Sequence, residues 1–154
     1  MKRGIFLSGL FGLCSTFAFA HGFGTTYSDP NHAEYLMYKG QVQLIGRYVQ
    51  AQGDASENGS NRICFYPNNT DHMQVPREHG DQRLQWFCFS NADKARQLLK
   101  LPTTIAQSSC SYQGTATVTV GEYGVYLPEN DQGNDIAKLI AVKRHTPAKA
   151  VGCE

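Results

Sequence analysis

The segment from Pro67 to Arg83 gathers side chains suited to recognition. Arg77 and Arg83 carry planar guanidinium groups that fork onto carboxylates, and Met73 offers a flexible thioether able to fill an apolar recess. Tyr66 and Trp86 flank the segment with rings that stack on sugars, bases or other side chains. These five residues form the candidate partner-binding set, with Arg77 and Arg83 orienting a complementary acidic surface. Tyr38, Tyr48, Phe65, Phe87, Phe89 and Tyr126 suit the packed interior of a small β-rich domain. No familiar catalytic pattern accompanies them. Ser108 and Ser109 lack a G-x-S-x-G turn, and there is no H-E-x-x-H, phosphate-binding glycine loop or dinucleotide fingerprint. Glu122, Glu129, Asp131 and Asp135 could supply paired carboxylates, but a turn-rich acidic surface accounts for them and their spacing is not that of an EF-hand loop.

Lys2 and Arg3 precede an apolar run from Ile5 to Phe19, and Ala18-Phe19-Ala20 makes a small-x-small cleavage site. Residues 1–20 therefore read as a cleavable secretory signal peptide, and residues 21–154 as a single disulfide-stabilised β-rich domain. The run is too short, and too rich in Gly, Ser and Thr, for a spanning helix of about 20 predominantly apolar residues. Cys14 follows Leu13 rather than a small residue, which argues against a lipid anchor. Cleavage after Ala20 would expose the α-amino group of His21 beside its imidazole, a two-nitrogen chelate suited to copper(II). The start His21-Gly22 resembles that of bacterial lytic polysaccharide monooxygenases. The resemblance covers those two residues and implies copper held by His21 and a second histidine, for which His72, His79 and His145 are candidates. No second-histidine motif or axial Tyr or Phe can be matched, and an incidental terminal histidine is the simpler reading. No other cofactor is expected.

Four cysteines follow the leader: Cys64, Cys88, Cys110 and Cys153. An even count in an exported chain is the usual form of a disulfide framework. Three pairings are possible. Cys64 with Cys88 and Cys110 with Cys153 is favoured, because the first two sit in consecutive aromatic strands and the last two flank the final pair of strands. Loop closure then contributes roughly 3.5 and roughly 4 kcal/mol through the unfolded state, comparable to the net stability of a marginal domain. The spacing contains no paired C-x-x-C elements that would make a zinc site.

Strands are the main elements available to position these groups. Gln41 to Gln50 reads as a strand with Val42, Leu44 and Tyr48 on one parity, and Gly46 marks a bend or a close backbone approach. Arg62 to Tyr66 is its expected partner across an exposed loop from Gln52 to Asn61. Leu84 to Phe89 is the strongest strand, with Leu84, Trp86 and Cys88 on one face and Phe87 and Phe89 on the other. Ser90 to Asp93 offers an N-cap for a helix whose apolar stripe is Ala95, Leu98 and Leu99, ending near Lys100 before Pro102. Gly114 to Leu127 reads as two strands or one strand bent at a bulge. Ile136 to Lys143 is a last strand, with a short amphipathic helix as competitor. Residues 21–34 look irregular, and Cys153 clasps the tail.

Three strands, a helix and two more strands resemble the order of an OB-fold over about Val42 to Val142. That resemblance implies a small five-stranded barrel with one short helix, and a binding face around its second and third strands. A disulfide-stabilised β-sandwich is the alternative. Lys2 and Arg3 account for two of the fourteen basic residues, so the mature chain sets twelve against thirteen acidic ones. Near neutrality gives no field-driven case for nucleic acid or an anionic membrane. Together these features predict a noncatalytic periplasmic or secreted protein-binding module: an inhibitor, an immunity factor or an envelope assembly component. A carbohydrate- or small-ligand-binding protein is the second reading, and a copper-dependent oxidative enzyme using His21 the third.

Overall fold

The computed structural model describes residues 22–51, 62–127 and 133–153; the leader, His21 and the loop expected over Gln52 to Asn61 lie outside the described residues. Among the described residues are seven strands and one α-helix: β1 (Gly22–Tyr27), β2 (Tyr35–Ala51), β3 (Arg62–Pro67), β4 (Phe87–Phe89), α1 (Ala92–Leu98), β5 (Ser111–Tyr126), β6 (Asp135–His145) and β7 (Lys149–Val151). The sheet order is β1-β2-β3-β4-β6-β5-β7, and β2 also pairs with β5. That extra pairing closes β2, β3, β4, β6 and β5 into a ring. The pairing of β4 with β6 is parallel and the other ring pairings are antiparallel. With α1 inserted between the third and fourth ring strands, the fold is OB-like rather than a two-sheet sandwich.

Period-two burial drives the closure. Along β2, Val42, Leu44 and Tyr48 are buried while Gln41, Gln43, Ile45 and Arg47 are exposed. Val42 lies opposite Val120 and Leu44 opposite Val118 in the β5 register, so both inward faces fill one core. Tyr48, Phe65, Phe87, Tyr123 and Leu139 complete it. Each such burial stabilises by about 1.5–3 kcal/mol. Gly46 is the close approach expected of it: a Cβ there would stand 2.2 Å from the Tyr66 carbonyl oxygen and 2.9 Å from the Phe65 ring.

Several expectations change in the folded chain. The strand expected from Gln41 to Gln50 begins earlier and runs from Tyr35 to Ala51, because a bulge absorbs the irregularity at Gly40, whose φ is +127°. The segment expected to be irregular before Tyr35 contains β1, which is held by backbone pairing to β2 and carries no apolar alternation to read. Only Phe87 to Phe89 of the strand expected from Leu84 joins the ladder. The chain before it turns sharply where the Trp86 N–H donates to the Leu84 carbonyl at 3.0 Å. The stretch from Ile136 is a strand rather than a helix, since β4 and β5 supply ladder partners on both sides. Asn91 does not cap α1. Its amide spans the Leu139 backbone instead, accepting from N–H at 2.8 Å and donating to C=O at 2.9 Å. The seven-residue helix is too short to persist alone and packs on the core through Ala95 and Leu99.

Both favoured disulfides are formed. Cys64–Cys88 joins register partners of β3 and β4, and Cys110–Cys153 ties the tail beside β5. They suggest an oxidising, extracellular or periplasmic environment. No helix among the described residues is long and apolar enough to cross a membrane.

Candidate functional site

Antiparallel register brings Arg47, Tyr66 and Trp86 together on the outward face of β2, β3 and the approach to β4. Arg47 pairs with Tyr66, and Trp86 stands one step beyond the Phe65–Phe87 pair. The Tyr66 and Trp86 rings stack at 5.6 Å with an interplanar angle of 15°, and the Arg47 guanidinium lies 4.8 Å from the Tyr66 ring centre. Phe65, Phe87 and Phe89 take the opposite parity and are buried. The aromatics therefore divide by strand parity into core and surface, with Tyr66 and Trp86 on the face that the OB resemblance singles out.

Residues 68–86 leave the ring at Pro67 and return at Phe87. Their first turn is anchored to β2: the Asp71 carboxylate accepts from the Ile45 N–H at 2.6 Å, and the Asn68 N–H donates to the Ile45 carbonyl at 2.9 Å. A 3-10 turn over His72–Gln74 lifts Met73 to 81% exposure, while Val75 plugs into the core. Arg77 then ion-pairs with Asp135, lies 3.5 Å from Asp81, and donates to the Leu84 carbonyl at 2.8 Å. Arg83 donates to Asp81 at 2.7 Å and to the Tyr126 carbonyl at 2.9 Å. Asp135, with a side chain only 1% exposed, also accepts from the Tyr123 hydroxyl at 2.7 Å and the Tyr126 N–H at 3.1 Å.

These contacts set the protonation states. Hydrogen bonds from Arg83 hold the Asp81 carboxyl down at about 2, against the desolvation that burial imposes. Burial, and next the adjacent Asp135 charge, push the Tyr123 hydroxyl well above its ordinary value, so it remains a donor. A buried carboxylate flanked by two guanidinium groups, a phenol and a backbone amide has its charge compensated and its acceptor sites filled.

Arg77 and Arg83 thus hold carboxylates of this chain. Their expected task was to orient a partner's acidic surface; in the fold they brace the loop against β5 and β6. Met73 stands out in solvent, and Tyr66 and Trp86 form a stacked ledge. Leu84, read as a strand residue, is instead 81% exposed because Arg77 seizes its carbonyl outside the ladder. Two open clefts share Arg83, Leu84 and Trp86 in their walls. One, of about 320 Å³, reaches Tyr66, Asn69 and His72; the other, of about 900 Å³, reaches Glu78, His79 and Tyr126. Asp135, Asp81 and Tyr123 escaped sequence reasoning as anchors. The available cue was the position of Asp135, directly before the apolar run from Ile136, where a charge must be buried or compensated.

The described residues contain no group of three or more His, Cys, Asp or Glu placed to hold a metal ion. The copper chelate at His21 lies outside them. The arrangement combines a stacked aromatic pair, two projecting apolar side chains and a braced loop. Comparison with family models, with curated proteins and with solved structures finds no match for this chain.

Proposed function

We propose that this chain is an exported, noncatalytic module that binds another periplasmic or extracellular protein through the loop 68–86 and the Tyr66–Trp86 ledge. The observation that carries the reading is the joint exposure of Met73 and Leu84, 81% each, on a loop anchored by buried ion pairs. Holding apolar side chains in water gives the fold nothing, whereas a preorganised loop loses little entropy when a partner covers them. Tyr and Trp beside them are residue types that anchor interfaces. The basic, apolar leader and the two disulfides support export to the periplasm or beyond.

Capture from periplasmic extract with the oxidised mature protein tests this reading. Wild type should retain a specific protein, and the double variant Met73→Asp/Leu84→Asp should lose it while its thermal midpoint stays close to wild type. Exposed positions of this kind change stability by only about 0.5 kcal/mol. Saturable glycan binding, with no protein lost on substitution, would replace this reading by the carbohydrate one.

A further inference from the structure

Residues 94–121 and 136–153 include Lys94, Arg96, Lys100, Lys138, Lys143, Arg144 and Lys149 and none of the chain's thirteen acidic residues. Near neutrality of the whole conceals this separation. Asp93 neutralises Arg96 at 2.6 Å and Glu122 neutralises Lys138 at 2.9 Å. The other five cations have no ion-pair partner among the described residues. Arg144 and Lys149 lie against the first half of β5, in register with Thr117 and Gln113. The stacked ledge and the loop 68–86 belong to other parts of the ring.

An open cleft of about 460 Å³ lies beside the end of α1, lined by Lys100 and by His145 and Ala148, the chain neighbours of Arg144 and Lys149. Leu99, Pro102, Pro147 and Ala148 give it an apolar lining, and Lys100, Tyr112 and His145 give it polar groups. That volume is within the range of small-molecule sites, about 300–1,000 Å³. Its walls are fixed from within the ring. Gln50 donates to the Pro102 carbonyl at 2.8 Å, the Tyr48 hydroxyl donates to the Thr146 carbonyl at 2.8 Å, and the Cys110–Cys153 bond secures the tail.

Lys100 is the unusual residue of the cleft. It has φ +55° just past the helix, where the Leu101 N–H closes onto the Arg96 carbonyl at 2.9 Å. Glycine is the residue that a left-handed helix terminus favours, so backbone conformation does not account for a lysine here. We propose that this cleft binds a monomeric amphiphile with a carboxylate head. Its apolar body lies against Leu99, Pro102, Pro147 and Ala148, Lys100 holds the head, and Arg144 and Lys149 supply the surrounding positive field. A concave site with an apolar lining suits such a molecule better than a flat membrane surface. Tyr112 and His145 are the two aromatic rings in the lining of this cleft, too few to stack a nucleic acid strand.

The test titrates the mature, oxidised protein with decanoate below its micelle-forming concentration and follows amide NMR shifts. Saturable shifts should centre on Leu99 to Leu101, Tyr112 and His145 to Ala148, and decyltrimethylammonium should not reproduce them. Lys100→Gly should keep or raise the thermal midpoint while weakening decanoate about tenfold, the effect of losing one charge-assisted contact. Unchanged affinity in Lys100→Gly, an equal response to the cationic amphiphile, or binding to phosphatidylglycerol vesicles without a response to monomer would each overturn the proposal. A lower midpoint in Lys100→Gly would assign Lys100 to the fold and overturn it as well.

Discussion

Where β5 ends at Tyr126, charge is drawn inward: Arg77, Arg83, Asp81 and Asp135 satisfy one another, and the side chains left in water include Met73 and Leu84. Along the first half of β5, from Ser111 to Val118, the arrangement is reversed. Leu99 is buried there, while Lys100, Lys143, Arg144 and Lys149 face solvent without ion-pair partners among the described residues. The same ring thus carries an apolar projection over an ionic anchor in one region and a cationic margin around an apolar cleft in the other. Buried ions fix the position of a loop, whereas exposed, unpaired ions are available to a ligand. Total charge reports neither arrangement.

The strongest way to break this contrast is to unbalance the anchor. Asp135→Asn should cost about 3–5 kcal/mol in urea unfolding, because it leaves the Arg77 guanidinium facing a neutral amide in a buried site. A loss below about 1 kcal/mol would show that the ion pair is not what holds the loop. Removing either disulfide comes next, at about 2–4 kcal/mol each by chemical denaturation. The two losses should differ in place. Cys110→Ser/Cys153→Ser should accelerate amide exchange over β7 and around the cleft, while Cys64→Ser/Cys88→Ser should loosen the junction of β3 with β4.

Acid should act on the anchored region through Asp81. Its folded carboxyl lies at about 2, below the usual 3.8, so the stabilisation is fully present above about pH 4 and is lost as pH falls through about 2. The corresponding effect is at most about 2 kcal/mol. Asp81→Asn should flatten that part of the profile of stability against pH, as read from urea midpoints between pH 5 and pH 2. An unchanged slope would remove Asp81 from the anchor. Leu84→Ala should produce the smallest change, within about 0.5 kcal/mol in thermal unfolding, because its side chain packs on little.

Much of the ring was legible because its strands alternate. Val42, Leu44 and Tyr48, and later Ala116, Val118 and Val120, declare an inward face at period two, and Pro102 marks where the helix must stop. The edge strands were not legible. β1 and β7 are held by backbone bonds and bury few side chains, which leaves no pattern in residue type. At the candidate site, residue types were readable and their partners were not. Arg77 and Arg83 hold carboxylates of this chain, and Asp135 lies more than fifty positions away, so only closure of the ring brings it to them. Leu84 was misplaced because strand propensity cannot foresee a guanidinium that captures its carbonyl.

The most direct test of the binding reading places a photo-reactive benzophenone side chain at position 84, and separately at position 143, in the exported protein, followed by irradiation of intact cells. A discrete protein adduct should form from position 84, disappear when Met73→Asp is added, and be absent from position 143. Adducts of equal yield from both positions, or none from position 84, would contradict the claim that the anchored loop presents a protein-binding surface.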